Sequence, residues 1–179
     1  MKKTIFITGA TSGIGKATAE VFAKQGHRLI ICGRRKEVLD NLQIQLSNFT
    51  DVYSLVFDVR NQQEVQNAIN SLPEDWKNID VLVNNAGNAH GLEPISDANI
   101  SDWDAMMDGN VKGLLYVSQP IIKLMKANNS GHIVNISSVA ARQTYANGTV
   151  YCASKKAVDV ISEGMRLELT EFGIKVTNV

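Results

Sequence analysis

The chain has 179 residues, 44% hydrophobic and 20% charged, with Lys plus Arg matched by Asp plus Glu at 18 each. That is enough chain for one domain with a sizeable core. A net charge of zero supplies no general field for nucleic acid or an anionic membrane, and no apolar run approaches the roughly 20 residues of a membrane helix. Neither partner is expected. Met1-Lys2-Lys3 leads into a short apolar run that breaks at once into Thr8-Gly9-Ala10-Thr11-Ser12-Gly13, which reads as a first core strand and not as a secretory signal. Cys32 and Cys152 lie far apart, and neither they nor His27, His90 and His132 have metal-ligand spacing. Reduced thiols in a cytoplasmic protein without a metal site are the expectation.

Taken in chain order, Thr4 to Thr8 is a strand, followed by a glycine-rich turn. Ile14, Ala17, Val21 and Phe22 recur at near-helical spacing up to Gly26. Arg28 to Cys32 is a second strand, and Val38, Leu39, Leu42 and Leu46 give a second helix its apolar face. Val52 to Phe57 is a third strand. Val65, Ala68, Ile69 and Leu72 mark a third helix stopped by Pro73, and Asp80 to Asn84 is a fourth strand. A loop through Gly87, Gly91 and Pro94 leads to a mainly helical stretch from Ile100 to Ala127, with a break expected near Gly109. Ile133 to Ser137 is a fifth strand. A long helix spans Thr149 to Glu171 with Gly173 as its stop, and Lys175 to Val179 is a sixth strand. Short, apolar strands alternating with helices predict one doubly wound α/β domain over residues 1–179, with a mostly parallel sheet covered on both faces.

The turn Gly9-Ala10-Thr11-Ser12-Gly13-Ile14-Gly15 sits between the first strand and the first helix. Gly9 suits a tight turn, Gly13 lets a pyrophosphate approach the backbone, and Gly15 allows close helix packing. The helix start offers unpaired amides to phosphate. The spacing is GxxxGxG, without the Gly-Lys-Ser/Thr ending of a P-loop, which disfavours nucleotide hydrolysis. Arg34 and Arg35 end the second strand, where a doubly wound fold faces the adenosine ribose. Two guanidinium groups there suit a 2′-phosphate and so NADP over NAD; a solvated basic helix start is the other reading. Asp58 follows the third strand with an acceptor for adenine, and Asn84-Asn85-Ala86-Gly87 follows the fourth with room for a flat cofactor.

Tyr151 and Lys155 are four apart in the long helix and share a face, and Ser138 lies just beyond the fifth strand. A tyrosine can give a proton to a carbonyl oxygen that receives hydride, but only with a cation nearby to favour its ionised form. Lys155 supplies that cation and reaches for ribose hydroxyls; Ser138 can hydrogen-bond the oxygen as charge develops. Alone, Tyr-x-x-x-Lys is an ordinary surface pair. Its weight comes from the glycine turn and the Asn-Asn-Ala-Gly loop.

Together these pieces resemble the short-chain dehydrogenase/reductase family. The matching residues are Thr8 to Gly15, Asp58, Asn84-Asn85-Ala86-Gly87, Asn110, Ser137-Ser138 and Tyr151-Cys152-Ala153-Ser154-Lys155, in family order over essentially the whole chain. The resemblance implies a Rossmann-like fold and a catalytic tetrad of Asn110, Ser138, Tyr151 and Lys155. In it the Asn sits at a helix irregularity and helps hold a water linked to the Lys. It also implies NADP contacts at Gly9, Ser12, Gly13, Ile14, Arg34, Arg35, Asp58, Val59, Asn85, Tyr151 and Lys155. A homodimer or homotetramer through the helices near 109–127 and 149–171 is a further implication. Ser71-Leu72-Pro73-Glu74-Asp75-Trp76, Asn78-Ile79-Asp80 and Gly91-Leu92-Glu93-Pro94 resemble the NADP-dependent 3-hydroxy acid dehydrogenase branch, which implies a small-molecule 3-hydroxy acid substrate. Another carbonyl or 3-oxoacyl reductase, or a non-catalytic nucleotide-binding protein, stays open. Tyr145 and Gln143 can line the substrate side of the cleft or be exposed loop residues. The family domain continues past a sixth strand with a Pro-Gly segment, a helical cover and a seventh strand, so the fold is expected to be C-terminally incomplete, with the sixth strand at an open edge.

Overall fold

The computed structural model describes residues 2–179, and the reading at Met1 lies outside them. Six strands form one sheet: β1 (Thr4–Ile7), β2 (Arg28–Gly33), β3 (Val52–Val56), β4 (Val81–Asn84), β5 (Gly131–Asn135) and β6 (Ile174–Asn178). The order is β3-β2-β1-β4-β5-β6 and every pair is parallel. The helices are α1 (Gly13–Lys24), α2 (Lys36–Leu46), α3 (Gln62–Asn70), α4 (Ile100–Met106), α5 (Gly113–Ala127) and α6 (Thr149–Leu169). This is the doubly wound, Rossmann-like α/β architecture, and β3 and β6 are the sheet's edges.

Alternation along the strands separates two cores. Phe6, Ile30, Leu82 and Ile133 point to one face, where they meet Val65 of α3, Val117, Ile121 and Met125 of α5, and Val158 and Leu169 of α6. Their neighbours Ile5, Ile7, Leu29, Ile31 and Val83 point to the other face, against Ala19 and Ala23 of α1 and Leu39, Leu42 and Leu46 of α2. A strand buried on both faces has no polar face to alternate, which is why the strands read as continuous apolar runs. At the border of the second core Val81, Val134 and Ile136 are only partly buried.

Most strands differ from the sequence reading by one residue at an end; three larger differences bear on the site. The fifth strand runs from Gly131 to Asn135 instead of Ile133 to Ser137, so Ser138 lies in the following loop. There it caps a short 3-10 turn over Val139–Ala141. The long helix gives way after Leu169 to a 3-10 turn, and Gly173 ends it in a left-handed conformation (φ 66°). The expected break near Gly109 is a π-helical segment, Met107–Lys112, that joins α4 to α5 without interruption. One extra residue in such a turn redirects the side chains that follow.

Leu82 is fully buried at the sheet's centre, in register with Phe6 on β1 and Ile133 on β5. Leu82→Ala is expected to lower the unfolding free energy by about 2–5 kcal/mol, read from urea denaturation. A loss below about 1 kcal/mol would show that this site collapses around the missing atoms.

Candidate active site and nucleotide cleft

The strand order reverses between β1 and β4, and the loops after them part to open a cleft at the carboxyl ends of the strands. A cavity of about 610 Å³ fills it, reaching from the glycine turn and Arg34, Arg35 and Asp58 to Ser138, Tyr151 and Lys155. Of the sequence-predicted residues, Gly9, Ser12, Ile14, Val59 and Asn85 also line it, while Gly13 and Asn110 do not.

The glycine turn is held by the loop after β4. Thr8 is buried, and its hydroxyl accepts the backbone N–H of Asn85 and of Ala86, each at 3.0 Å. The Asn85 side-chain amide donates to Thr8 O (2.9 Å) and Gly9 O (3.1 Å). Gly15 allows the first turn of α1 to pack closely here: a Cβ there would run into Gly9 O and Asn85 Nδ2. Gly13 has φ 52° and open space where a Cβ would stand, a conformation and clearance that glycine provides. Ser12 caps α1 without a side-chain hydrogen bond to the first turn, which leaves helix amides for an anion. Together these features fit a dinucleotide pyrophosphate.

At the adenosine end the two arginines differ. One Arg35 nitrogen donates to Thr11 Oγ1 (2.9 Å) and Thr11 O (3.2 Å), tying it across the glycine turn. Arg34 is exposed, with a nitrogen 3.6 Å from an Asp58 oxygen. Asp58 is engaged chiefly by Arg60, whose Nε and terminal nitrogen reach its carboxylate at 2.6–3.1 Å and whose backbone N–H donates at 3.0 Å. Burial raises the Asp58 pKa, but hydrogen bonds and charge from Arg60, with charge from Arg34, outweigh it and hold the carboxyl below its ordinary value. Arg60 also lines the cavity. It is a residue that the sequence reading missed; its position two residues after Asp58 was the available signal.

At the other end, Lys155 is 7% exposed and donates to Ile136 O at 2.9 Å. Its nitrogen lies 6.0 Å from the centre of the Tyr151 ring. Desolvation by burial lowers its pKa. The Ser138 oxygen accepts Ala140 N–H at 3.1 Å, which leaves its own proton free to donate. Asn110 sits in the π-helical segment, 2% exposed. Its amide accepts Asn88 N–H (2.8 Å) and donates to Asn88 O (2.8 Å) and Ser154 Oγ (3.0 Å). Ser154 in turn donates to Tyr151 O at 2.7 Å. Among the described residues the Asn110 side chain makes no hydrogen bond to Lys155; it braces the loop and the helix turn that flank it. Gly87 permits this, since a Cβ there would lie 2.9 Å from Asn110 Oδ1 and 3.6 Å from Lys155 Nζ.

Beneath both loops runs a set of paired polar groups whose connections the sequence reading missed, although it named Asn84 and Ser137. Asn84 donates to Ser118 (2.9 Å) and Asn135 (2.8 Å), and Asn135 donates to Ser162 (2.8 Å). Asp159 accepts from Ser137 at 2.6 Å and from Asn178. A much smaller cavity beside Tyr151 is bounded by Leu92, Trp103 and Met106. Neither Tyr145 nor Gln143 lines either cavity; Tyr145 packs over Gly148. Cys32 and Cys152 are both buried and unpaired, and burial raises the Cys32 thiol pKa. No group of three His, Cys, Asp or Glu among the described residues is arranged to hold a metal.

The short chain dehydrogenase family model matches residues 3–179. The NADP-dependent 3-hydroxy acid dehydrogenase YdfG of Escherichia coli O6:H1 is 42% identical over 175 residues, covering 98% of this chain and 70% of that protein. Sulfoacetaldehyde reductase 2 of Chromohalobacter salexigens is 41% identical over 180 residues, 100% of this chain and 71% of that protein. The closed form of serine dehydrogenase complexed with NADP+ superposes with a TM-score of 0.92 at 41% identity, over 98% of this chain and 70% of that one. In fold, in sequence and in the arrangement of its cleft, this chain belongs to the short-chain dehydrogenase family.

Proposed function

We propose that this chain is an NADP-dependent oxidoreductase acting at the alcohol or carbonyl carbon of a small 3-hydroxy acid. The observation that carries the reading is one continuous cleft with a phosphate-binding turn and arginines at one end and Ser138, Tyr151 and Lys155 at the other. A relative named as an NADP-dependent 3-hydroxy acid dehydrogenase, at 42% identity, supports the substrate class. NADP, when bound, supplies the hydride in reduction and takes it in oxidation.

The residues handle the proton. In reduction, the Tyr151 hydroxyl gives its proton to the carbonyl oxygen as hydride reaches the carbon; in oxidation it takes the alcohol proton back. The Lys155 ammonium lowers the cost of the tyrosinate and meets ribose hydroxyls. Ser138 donates to the oxygen as negative charge grows. Asn110 acts by position, through Asn88 and through the Ser154 contact to Tyr151 O. The turn residues Gly9, Ser12, Gly13 and Ile14 take the pyrophosphate. Arg34 and Arg35 take the 2′-phosphate, and Asp58, Val59 and Asn85 border the adenosine half. Self-association through α5 and α6 fits exposed Val160 (60%) and Leu167 (75%), seven apart on α6. Cytoplasmic residence fits the two free thiols. No helix of the described residues is long and apolar enough to cross a membrane.

The relative named as a sulfoacetaldehyde reductase gives a second reading, a small anionic aldehyde as substrate. Turnover of serine and 3-hydroxypropionate with NADP+, and of sulfoacetaldehyde and a 3-oxoacyl thioester with NADPH, separates these readings. Oxidation of the hydroxy acids is expected; failure on both, with efficient reduction of another substrate, would overturn the assignment. Tyr151→Phe should cut turnover by about 100-fold or more while NADPH binding, followed by fluorescence, stays near wild type. Near-normal turnover in that variant would remove Tyr151 as the proton donor.

Lys155 also makes a stability prediction. Its folded pKa lies below that of a free lysine. Between the two values the unfolded chain binds more protons, so stability rises with pH across that alkaline window. Below the folded value both states are protonated and the burial penalty is fully present. Urea denaturation against pH should show this rise in the wild type and lose it in Lys155→Met. An unchanged slope would mean that the buried ammonium is not its source.

A further inference from the structure

The adenosine end of the cleft holds an acid where a phosphate dianion is to be bound. Arg34 faces an Asp58 oxygen at 3.6 Å, close enough for the carboxylate to compete with phosphate for that guanidinium. Arg60 takes up most of that carboxylate's hydrogen-bonding capacity and leaves Arg34 only the longer 3.6 Å contact. Its fork closes on both Asp58 oxygens at 2.6–3.1 Å, and its own N–H adds a third anchor. Arg35 cannot replace a lost Arg34 freely, because it is bonded to Thr11. All four side chains line the same cavity, three guanidiniums against one carboxylate.

We propose that Arg60 is a specificity-determining residue for NADP: by clamping Asp58 it loosens that carboxylate's hold on Arg34, which can then turn to the 2′-phosphate. The inference rests on the NADP reading above. A bidentate fork is the geometry that satisfies a carboxylate most fully. An Asp58 so satisfied, with its charge matched, exerts little pull on the more distant Arg34 and repels the phosphate less. Without Arg60, Asp58 turns to Arg34 and presents uncompensated negative charge to the phosphate. NADH, which lacks that phosphate, is indifferent to the exchange.

The test is the dissociation constants of NADPH and NADH, by fluorescence titration at fixed ionic strength, which matters because exposed charges are screened. The variants are Arg60→Ala, Asp58→Asn and the pair together. Arg60→Ala should weaken NADPH by about tenfold and NADH by less than about twofold. Adding Asp58→Asn should return the ratio of NADPH to NADH affinity to within about threefold of wild type, because the competing acid is gone, while any lost adenine contact weakens both cofactors alike. Arg60→Lys, which keeps the charge but not the fork, should fall between wild type and Arg60→Ala and covers the case of an alanine variant that does not fold. Equal losses for both cofactors would overturn the proposal and leave Arg60 a structural partner. A double variant whose NADPH-to-NADH ratio stays at the Arg60→Ala value would also overturn it, by showing that Arg60 meets the phosphate itself. A wild type that binds both cofactors equally would overturn the NADP reading first, and that result is visible before any variant is compared.

Discussion

The hydrogen bonds from the Asn85 amide to Thr8 O and Gly9 O fix the relation between the two loops that make the cleft. These loops leave adjacent parallel strands, β1 and β4, at the point where the strand order reverses. Diverging loops take their backbone groups out of the sheet ladder, and each group then needs another partner. Asn85 satisfies two carbonyls, and the Thr8 hydroxyl satisfies two amides in return. The exchange works only at close range. A Cβ at Gly9 would sit 2.8 Å from Asn85 Nδ2, and one at Gly15 would strike both partners. The glycines of the turn are thus as much a condition of this contact as of phosphate approach. The same loop then passes Gly87 against Asn110 and Lys155, so one segment spaces the glycine turn from the end of the cleft that holds Tyr151 and Lys155.

A second constraint lies one layer below. Asn84, Asn135 and Asn178 stand in register across β4, β5 and β6. Asn84 and Asn135 are buried, and burying an amide without partners is costly. Their partners come from the covering helices: Ser118 of α5 and Ser162 of α6. Apolar residues at these positions would pack the strands equally well but leave rotation and sliding of the helices less defined. Hydrogen bonds specify one position of α6, and with it the placement of Tyr151 and Lys155. Asp159, on the same helix, extends the set to Ser137, the residue before Ser138. The loop and the helix that carry the reacting groups are therefore referred to the same sheet edge.

What could be read from sequence follows from the range of the interactions. Strand and helix alternation is local, and the six strands and their covering helices were legible to within a few residues. The glycine turn, Tyr151 with Lys155, and the Arg34-Arg35 pair are short motifs whose geometry is set by one element or one turn. The misreadings are where partners are distant in sequence. Gly15 reads as a residue for close helix packing, but that Asn85, 70 residues away, is one of the groups it packs against is visible only in three dimensions. The fifth strand was carried on to Ser137 because Ile136 continues the apolar run, although it stops at Asn135. Asn110 was identified by resemblance, but its partners Asn88 and Ser154 are visible only in three dimensions. Asparagine at the ends of three strands was a signal left unused, since an amide closing an apolar strand has to find a partner.

The balance of 18 basic and 18 acidic residues hides a strongly uneven cleft. Arg34, Arg35 and Arg60 line one end and Lys155 the other, with Asp58 the acid between the arginines. These cations are held in different ways because they have different work to do. The arginines stay at the surface, where hydration keeps them charged at little cost and where a mobile phosphate group can reach them. Lys155 is withdrawn from water, which weakens its hold on its proton and strengthens its field on a neighbour. A solvated lysine would be more stably charged but screened, and would do little for a tyrosine ring 6.0 Å away. The Ile136 carbonyl resolves the conflict in part: it accepts from the ammonium and keeps it charged without neutralising it. A carboxylate in that position would have stabilised Lys155 further and cancelled the field proposed above to act on Tyr151.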